Sequence, residues 1–242
     1  MRSSQATIID PWSSALASGK PDVPVGGLAI GLATEVCGAL IAGTLAVLGL
    51  AGRSSDRMAA GAAIALGIAL AVHGTCTLLT WRADARHLDT LRFDRRAIAI
   101  ALGVEALAGV TAAGLGALVL AHRADGSALS AAACVLAIAT LFGGAAQPQL
   151  VELMIHPVTW PQRLAARILL ASDGGVVAAG MIGLFLGAFA VLRIGPALTL
   201  ALAAYLVMAT MVAIVGTALA LRLANFARRD RFSPRLVALW FG

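Results

Sequence analysis

Apolar residues run in six blocks along this chain, at 26–51, 58–81, 97–121, 128–153, 166–192 and 196–221. A helix needs about 20 apolar residues to cross the hydrocarbon core of a bilayer, and each block supplies them. The breaks between blocks are polar and short. Arg53 to Arg57 separates the first pair, and a charged loop runs from Arg82 to Arg96. His122 to Ser127 contains Asp125-Gly126, a turn signal. Pro157 and Pro161 end the fourth block; Arg193, Gly195 and Pro196 divide the fifth from the sixth. The pattern predicts an all-α, polytopic membrane bundle of six transmembrane helices. An N-terminal segment (1–25) precedes the membrane domain (26–221), and a basic tail (222–242) follows it.

Composition narrows the picture further. Hydrophobic residues make up 60% of the 242 positions and charged residues 12%. A soluble domain carries about 25% charged residues and has too little interior to hide so much apolar surface. The net charge of +6 does not point to nucleic acid, because the basic residues sit in short connections between apolar blocks. There they set topology. Fourteen Lys and Arg fall in the N-terminal segment, the 82–96 loop, the fourth connection and the tail, against four at Arg53, Arg57, Arg123 and Arg193. Short loops rich in Lys and Arg stay inside, so both termini are expected in the cytoplasm, with the chain in a bacterial inner membrane. The first 25 residues lack the basic start and apolar core of a cleavable signal peptide. Cys37, Cys76 and Cys134 lie singly in apolar blocks, without metal or redox spacing. Gly183 and Gly187 form a G-x-x-x-G pair suited to close packing within the bundle.

Polar residues inside the blocks carry the chemistry. Glu35, Glu105 and Asp173 fall near the starts of the odd-numbered spans, each following an Ile-x-Leu or Ile-Leu-Leu stretch. They are 70 and then 68 residues apart, which suggests a two-helix unit used three times. His73, Gln147 and Gln149 approach the same depth from the even-numbered spans. An ionisable group in hydrocarbon costs at least about 2.5 kcal/mol, so such groups face the protein interior, a cavity or one another. A polar cavity opening towards the cytoplasm is therefore expected. Pro148 and the Asp173-Gly174-Gly175 segment are positions where a helix beside such a site could kink or loosen. Only His73 among four histidines lies well inside a block, so no haem is expected. No block contains Lys, which excludes a retinal Schiff base, and no metal or nucleotide motif is present.

Two stretches resemble the NrfD/DmsC-like membrane subunits of molybdopterin and iron–sulfur oxidoreductases. One is His156-Pro157-Val158-Thr159-Trp160-Pro161 with the helix after it and Phe142-Gly143-Gly144 before it. The other is the second span running through Trp81-Arg82 and the Arg-rich loop into the third span. The resemblance covers about half of the chain. It implies quinol binding and electron exchange with an iron–sulfur protein in a hetero-oligomer, with His73 and Glu105 as quinone or proton ligands.

Three functions follow as expectations. The first is a quinone-interacting anchor of a multisubunit oxidoreductase, with quinone as substrate, His73, Glu105, Glu35, Asp173 and Gln147 as quinone or proton ligands, and Arg92, Arg95 and Arg96 as the docking surface for the partner. The second is a small transporter or channel using the same acid and histidine layer. The third is a structural or assembly subunit with no site.

Overall fold

The computed structural model describes the backbone of residues 25–52, 55–84, 95–154 and 160–229, and side chains over 29–52, 55–79, 96–146 and 174–220. Six α-helices account for nearly all of it: α1 Val25–Leu50, α2 Ser55–Asp84, α3 Arg95–Leu120, α4 Ser127–Met154, α5 Trp160–Val191 and α6 Ala197–Arg229. All six are long and apolar enough to cross a membrane, and no strand occurs among the described residues. The chain is an integral membrane helical bundle.

The helices differ from the expected blocks mainly at their ends. α5 begins at Trp160, before the expected start, because Pro161 falls in its first turn, where a missing N–H costs nothing. α6 continues to Arg229 into the segment assigned to the tail. α4 runs through Pro148 without interruption, and α5 runs through Asp173-Gly174-Gly175. The expected loosening of α5 is therefore absent from its backbone.

Each helix packs on its sequence neighbours, and α1 closes on α6. The even-numbered helices also touch one another. They form a central trio, and each odd-numbered helix fills an outer groove between two of them. Burial follows this plan: large apolar side chains such as Leu40, Leu107, Val110, Met181 and Phe185 of the odd helices face outwards. Lipid is the environment that accepts such a surface. The interior is dominated by alanine and glycine, with Gly67 of α2 and Gly109 of α3 in backbone contact. Small residues permit this approach where apolar burial alone offers helices in lipid little. Gly183 faces Met208 of α6 and Gly187 faces Cys134 of α4, so the G-x-x-x-G pair packs inside the bundle.

The sequence of buried and exposed positions repeats three times. Buried positions 101, 102, 105 and 112 of α3 match 31, 32, 35 and 42 of α1 at an offset of 70. Those at 176, 179, 180, 183 and 187 of α5 match 105, 108, 109, 112 and 116 at an offset of 71. The even helices match at offsets of 70 and then 72. Three hairpins running in the same direction are thus related about an axis along the membrane normal. The repeat is real, but its third register differs from the one suggested by the acids. The position equivalent to Glu35 and Glu105 is Val176, three residues beyond Asp173.

Candidate functional site

Glu35 lies about ten residues into α1, Glu105 about ten into α3, and His73 about as far from the end of α2. At 1.5 Å per residue these are depths of about 15 Å from one common face, the face carrying both ends of the bundle. The three side chains meet. Nδ1 of His73 is 2.9 Å from Oε1 of Glu105, and Nε2 is 3.6 Å from Oε2 of Glu35. One imidazole therefore bridges two carboxylates carried by different repeats. Relative exposures of 2% for Glu35, 2% for His73 and 1% for Glu105 place the group in the bundle interior.

The threefold plan explains why they meet. In each repeat, one position of the odd helix and one of the even helix fall in the same transverse layer. Around the bundle these positions are Glu35, His73, Glu105, Gly143, Val176 and Val215. Half of the layer is ionisable and half is glycine or valine. The polar half is closed by glycines of neighbouring helices. A Cβ on Gly143 of α4 would stand 2.6 Å from the carboxyl carbon of Glu105. One on Gly74 of α2 would stand 3.3 Å from Oε2 of Glu105, and one on Gly216 of α6 3.4 Å from Oε2 of Glu35. The carboxylates thus occupy volume that side chains at these positions would fill. The equivalent contact in the apolar half is Val176 against Gly144, at 2.8 Å.

On the side of the common face, Ile98, Ala101, Leu102 and Ala146 form a small apolar cluster with Leu78. Towards the opposite face the core is continuous, and Tyr205 of α6 donates its phenol hydrogen to the carbonyl of Leu129 in α4. Among the described residues the triad is packed on both sides. The part of the bundle through which the expected cavity would open, with Gln147, Gln149 and Asp173, lies outside the described side chains.

Three of the expected site residues, Glu35, His73 and Glu105, come together. The side chains of Gln147, Gln149 and Asp173 lie outside the described residues, as does Arg92; Arg95 opens α3, and its side chain also lies outside them. Arg96, in the first turn of α3, is exposed. Gly74, Gly216 and the buried Thr77 escaped the sequence reading, and Gly143 entered it only within the Phe142-Gly143-Gly144 stretch, because a glycine among 26 glycines carries no site signal until its register opposite an acid is known. The offset of 70 that pairs Glu35 with Glu105 also pairs His73 with Gly143, and it is the signal that could have found that glycine.

The triad's groups can bind and release protons. The imidazole can carry a hydrogen on either or both nitrogens, and each carboxylate can accept from it. No group of three or more metal-ligating side chains occurs among the described residues. Comparison with known protein families, curated proteins and solved structures returns no match.

Proposed function

We propose that the protein is a proton-coupled membrane transporter in which Glu35, His73 and Glu105 take up and release the coupling proton. The observation that carries this reading is the bridging of two membrane-embedded carboxylates by one imidazole at less than 3% exposure. Ionisable groups at this depth mark proton relays and ion pathways by default. A proton needs only a hydrogen-bonded route to an enclosed site, whereas a bulky headgroup must part the helices. The triad also joins α1, α2 and α3 while resting on α4 and α6, so its protonation bears on the packing of most of the bundle. The test uses the full chain in proteoliposomes with an acid interior and a pH-sensitive dye. Sodium, potassium or an organic cation such as ethidium is then added outside. At least one should dissipate the gradient, with the rate falling about tenfold or more in Glu105→Gln, in keeping with general acid–base contributions of about 10²–10⁴. Equal rates in wild type and variant for every cation overturn the reading.

A second reading keeps the anchor subunit. It is supported by the resemblance to NrfD/DmsC-like subunits and by a His–carboxylate pair of the kind that can accept protons from a quinol. In it, Arg92, Arg95 and Arg96 dock an iron–sulfur partner, since Arg is favoured at charged interfaces. Quenching of tryptophan fluorescence by a soluble quinone analogue, lost in His73→Asn, would favour this reading over transport. Co-purification of an iron–sulfur protein, lost on reversing the three arginines to Glu, would extend it.

A further inference from the structure

In the triad Nδ1 of His73 is hydrogen-bonded to Glu105 and Nε2 stands at ion-pair distance from Glu35, and other buried polar atoms lie beside them. Oε2 of Glu105 and Oγ1 of Thr77 are both shielded from solvent and have no hydrogen-bond partner among the described residues. Among the described residues two threonines are buried, and Thr77 differs from Thr140 in this. Thr44, Thr111, Thr140 and Thr210 each donate their hydroxyl to the carbonyl four residues earlier in their own helix. That is the usual outlet for a threonine in a membrane helix. The hydroxyl of Thr77 makes no such bond, although the carbonyl of His73 stands at that position.

Thr77 follows His73 by four residues and Gly74 by three, so all three share one side of α2. Gly74 is the residue against which Oε2 of Glu105 rests. Gly74 and Thr77 stand about one helical turn apart, so the two oxygens without partners approach the same side of α2 at neighbouring positions. A single water bridges two oxygens about 5–6 Å apart with two hydrogen bonds of about 2.8 Å. Buried water in proteins is found where it satisfies such otherwise unpaired groups.

Direction adds meaning to the pair. Thr77 lies on the side of the triad nearer the common face, at the level of the apolar cluster of Ile98, Ala101, Leu102 and Leu78. On the opposite side of the triad, the hydroxyls of Thr140 and Tyr205 are both committed to backbone carbonyls.

We infer that Thr77 and Oε2 of Glu105 hold a water molecule on the side of the buried triad nearer the face carrying both ends of the bundle. The water donates to the carboxylate and accepts from, or donates to, the hydroxyl. A proton reaching the water passes to Glu105 and on to His73 along existing hydrogen bonds, with no other co-reactant. The inference deepens the reading of the triad as a proton-binding site and rests on it, but it is tested without any transport assay.

The full chain in lipid bilayers, labelled with ¹⁵N-histidine, is followed by solid-state NMR for transfer of magnetisation from water to the ring N–H of His73. His73→Asn assigns the signal among the four histidines. Wild type and Thr77→Ser should show rapid transfer. Thr77→Val keeps the volume and removes the hydroxyl, and should slow transfer about tenfold, the loss of one hydrogen-bonded link. Equal transfer in wild type and Thr77→Val overturns the inference. Should Thr77→Val fail to fold, Thr77→Ser against wild type decides: slow transfer in both overturns it, and rapid transfer in both supports it. Loss of cation-driven proton movement with water transfer intact would sink the transport reading and leave this one standing.

Discussion

At the residue scale, the site was legible where its members carry charge. Glu35, His73 and Glu105 stood out as ionisable groups at one depth in apolar blocks, and they meet in the folded chain. What made their contact possible was not legible, because it consists of missing atoms. Gly143 is the clearest case. A Cβ there would lie 2.6–2.8 Å from all three atoms of the Glu105 carboxylate, which is the movable end of a flexible side chain. Gly143→Ala should therefore displace the carboxylate and break its 2.9 Å contact with His73 without unfolding the bundle. A stability loss of about 1–3 kcal/mol is expected, the usual range for overpacking. The ¹⁵N shift of the His73 ring should move in Gly143→Ala and stay unchanged in a distant control such as Gly114→Ala, where added volume meets open space. An unmoved ring signal in Gly143→Ala would show that the glycine does not position Glu105.

At the element scale, the three odd helices end alike. Gly52, His122 and Arg193 follow α1, α3 and α5 with φ of 81°, 54° and 56°. The amide of Arg123 reaches back to the carbonyl of Leu118, and that of Ile194 to Phe189, closing the same left-handed cap twice. Only the first cap has the residue that this conformation favours. A non-glycine residue there is strained by about 1–2 kcal/mol. His122→Gly and Arg193→Gly should each raise stability, by up to about 1 kcal/mol once the greater freedom of unfolded glycine is subtracted. Thermal unfolding in detergent measures this, and a lower midpoint in both variants would count against the shared cap. These caps also mark the repeat better than the acids do: they are 70 and 71 residues apart, in agreement with the burial pattern. The sequence could not supply that register, since Asp173 offered a nearer acid at an offset of 68 and Val176 carries no distinguishing group.

The start of α4 adds a pH dependence. Oδ1 of Asp125 accepts from the backbone N–H of Ser127 at 3.1 Å and from its hydroxyl. These bonds, first the hydroxyl's and then the amide's, hold the exposed carboxyl below its usual range, with Arg193 of the neighbouring turn adding a smaller pull. A depressed folded value gives stability that is fully present above the unfolded value of about 3.9. It is lost as pH falls through the folded value. Asp125→Ala should thus be less stable than wild type at neutral pH, and the difference should shrink on acidification below about pH 4. A difference independent of pH would assign the effect to something other than this cap.

At the scale of the whole molecule, the two faces of the bundle are unequal, and the triad lies nearer one of them. An even number of spans puts both ends of the bundle on one face, and the turns at 51–52, 121–126 and 192–196 on the other. The triad lies about 15 Å from the first face along α3, and about 22 Å from the second, counting residues from Glu105 to each end. The longer side is filled by the continuous core that includes Leu136, Tyr205 and Met208. The charge count predicts an orientation: fourteen Lys and Arg fall on the side of the ends and four on the side of the turns. That excess should hold the ends in the cytoplasm, so the triad should equilibrate with cytoplasmic pH. Reporter fusions after Arg123 and Arg193 are expected to read outside the cytoplasm, and fusions after Arg86 and at Gly242 inside it. Moving any one span boundary by a turn leaves the asymmetry in place, because no basic cluster changes face. A cytoplasmic signal at Arg123 would break the pairing of α3 with α4 as membrane-crossing neighbours. A wholesale inversion of all four signals would keep the fold and transfer the triad's access, with its proton source, to the outer face.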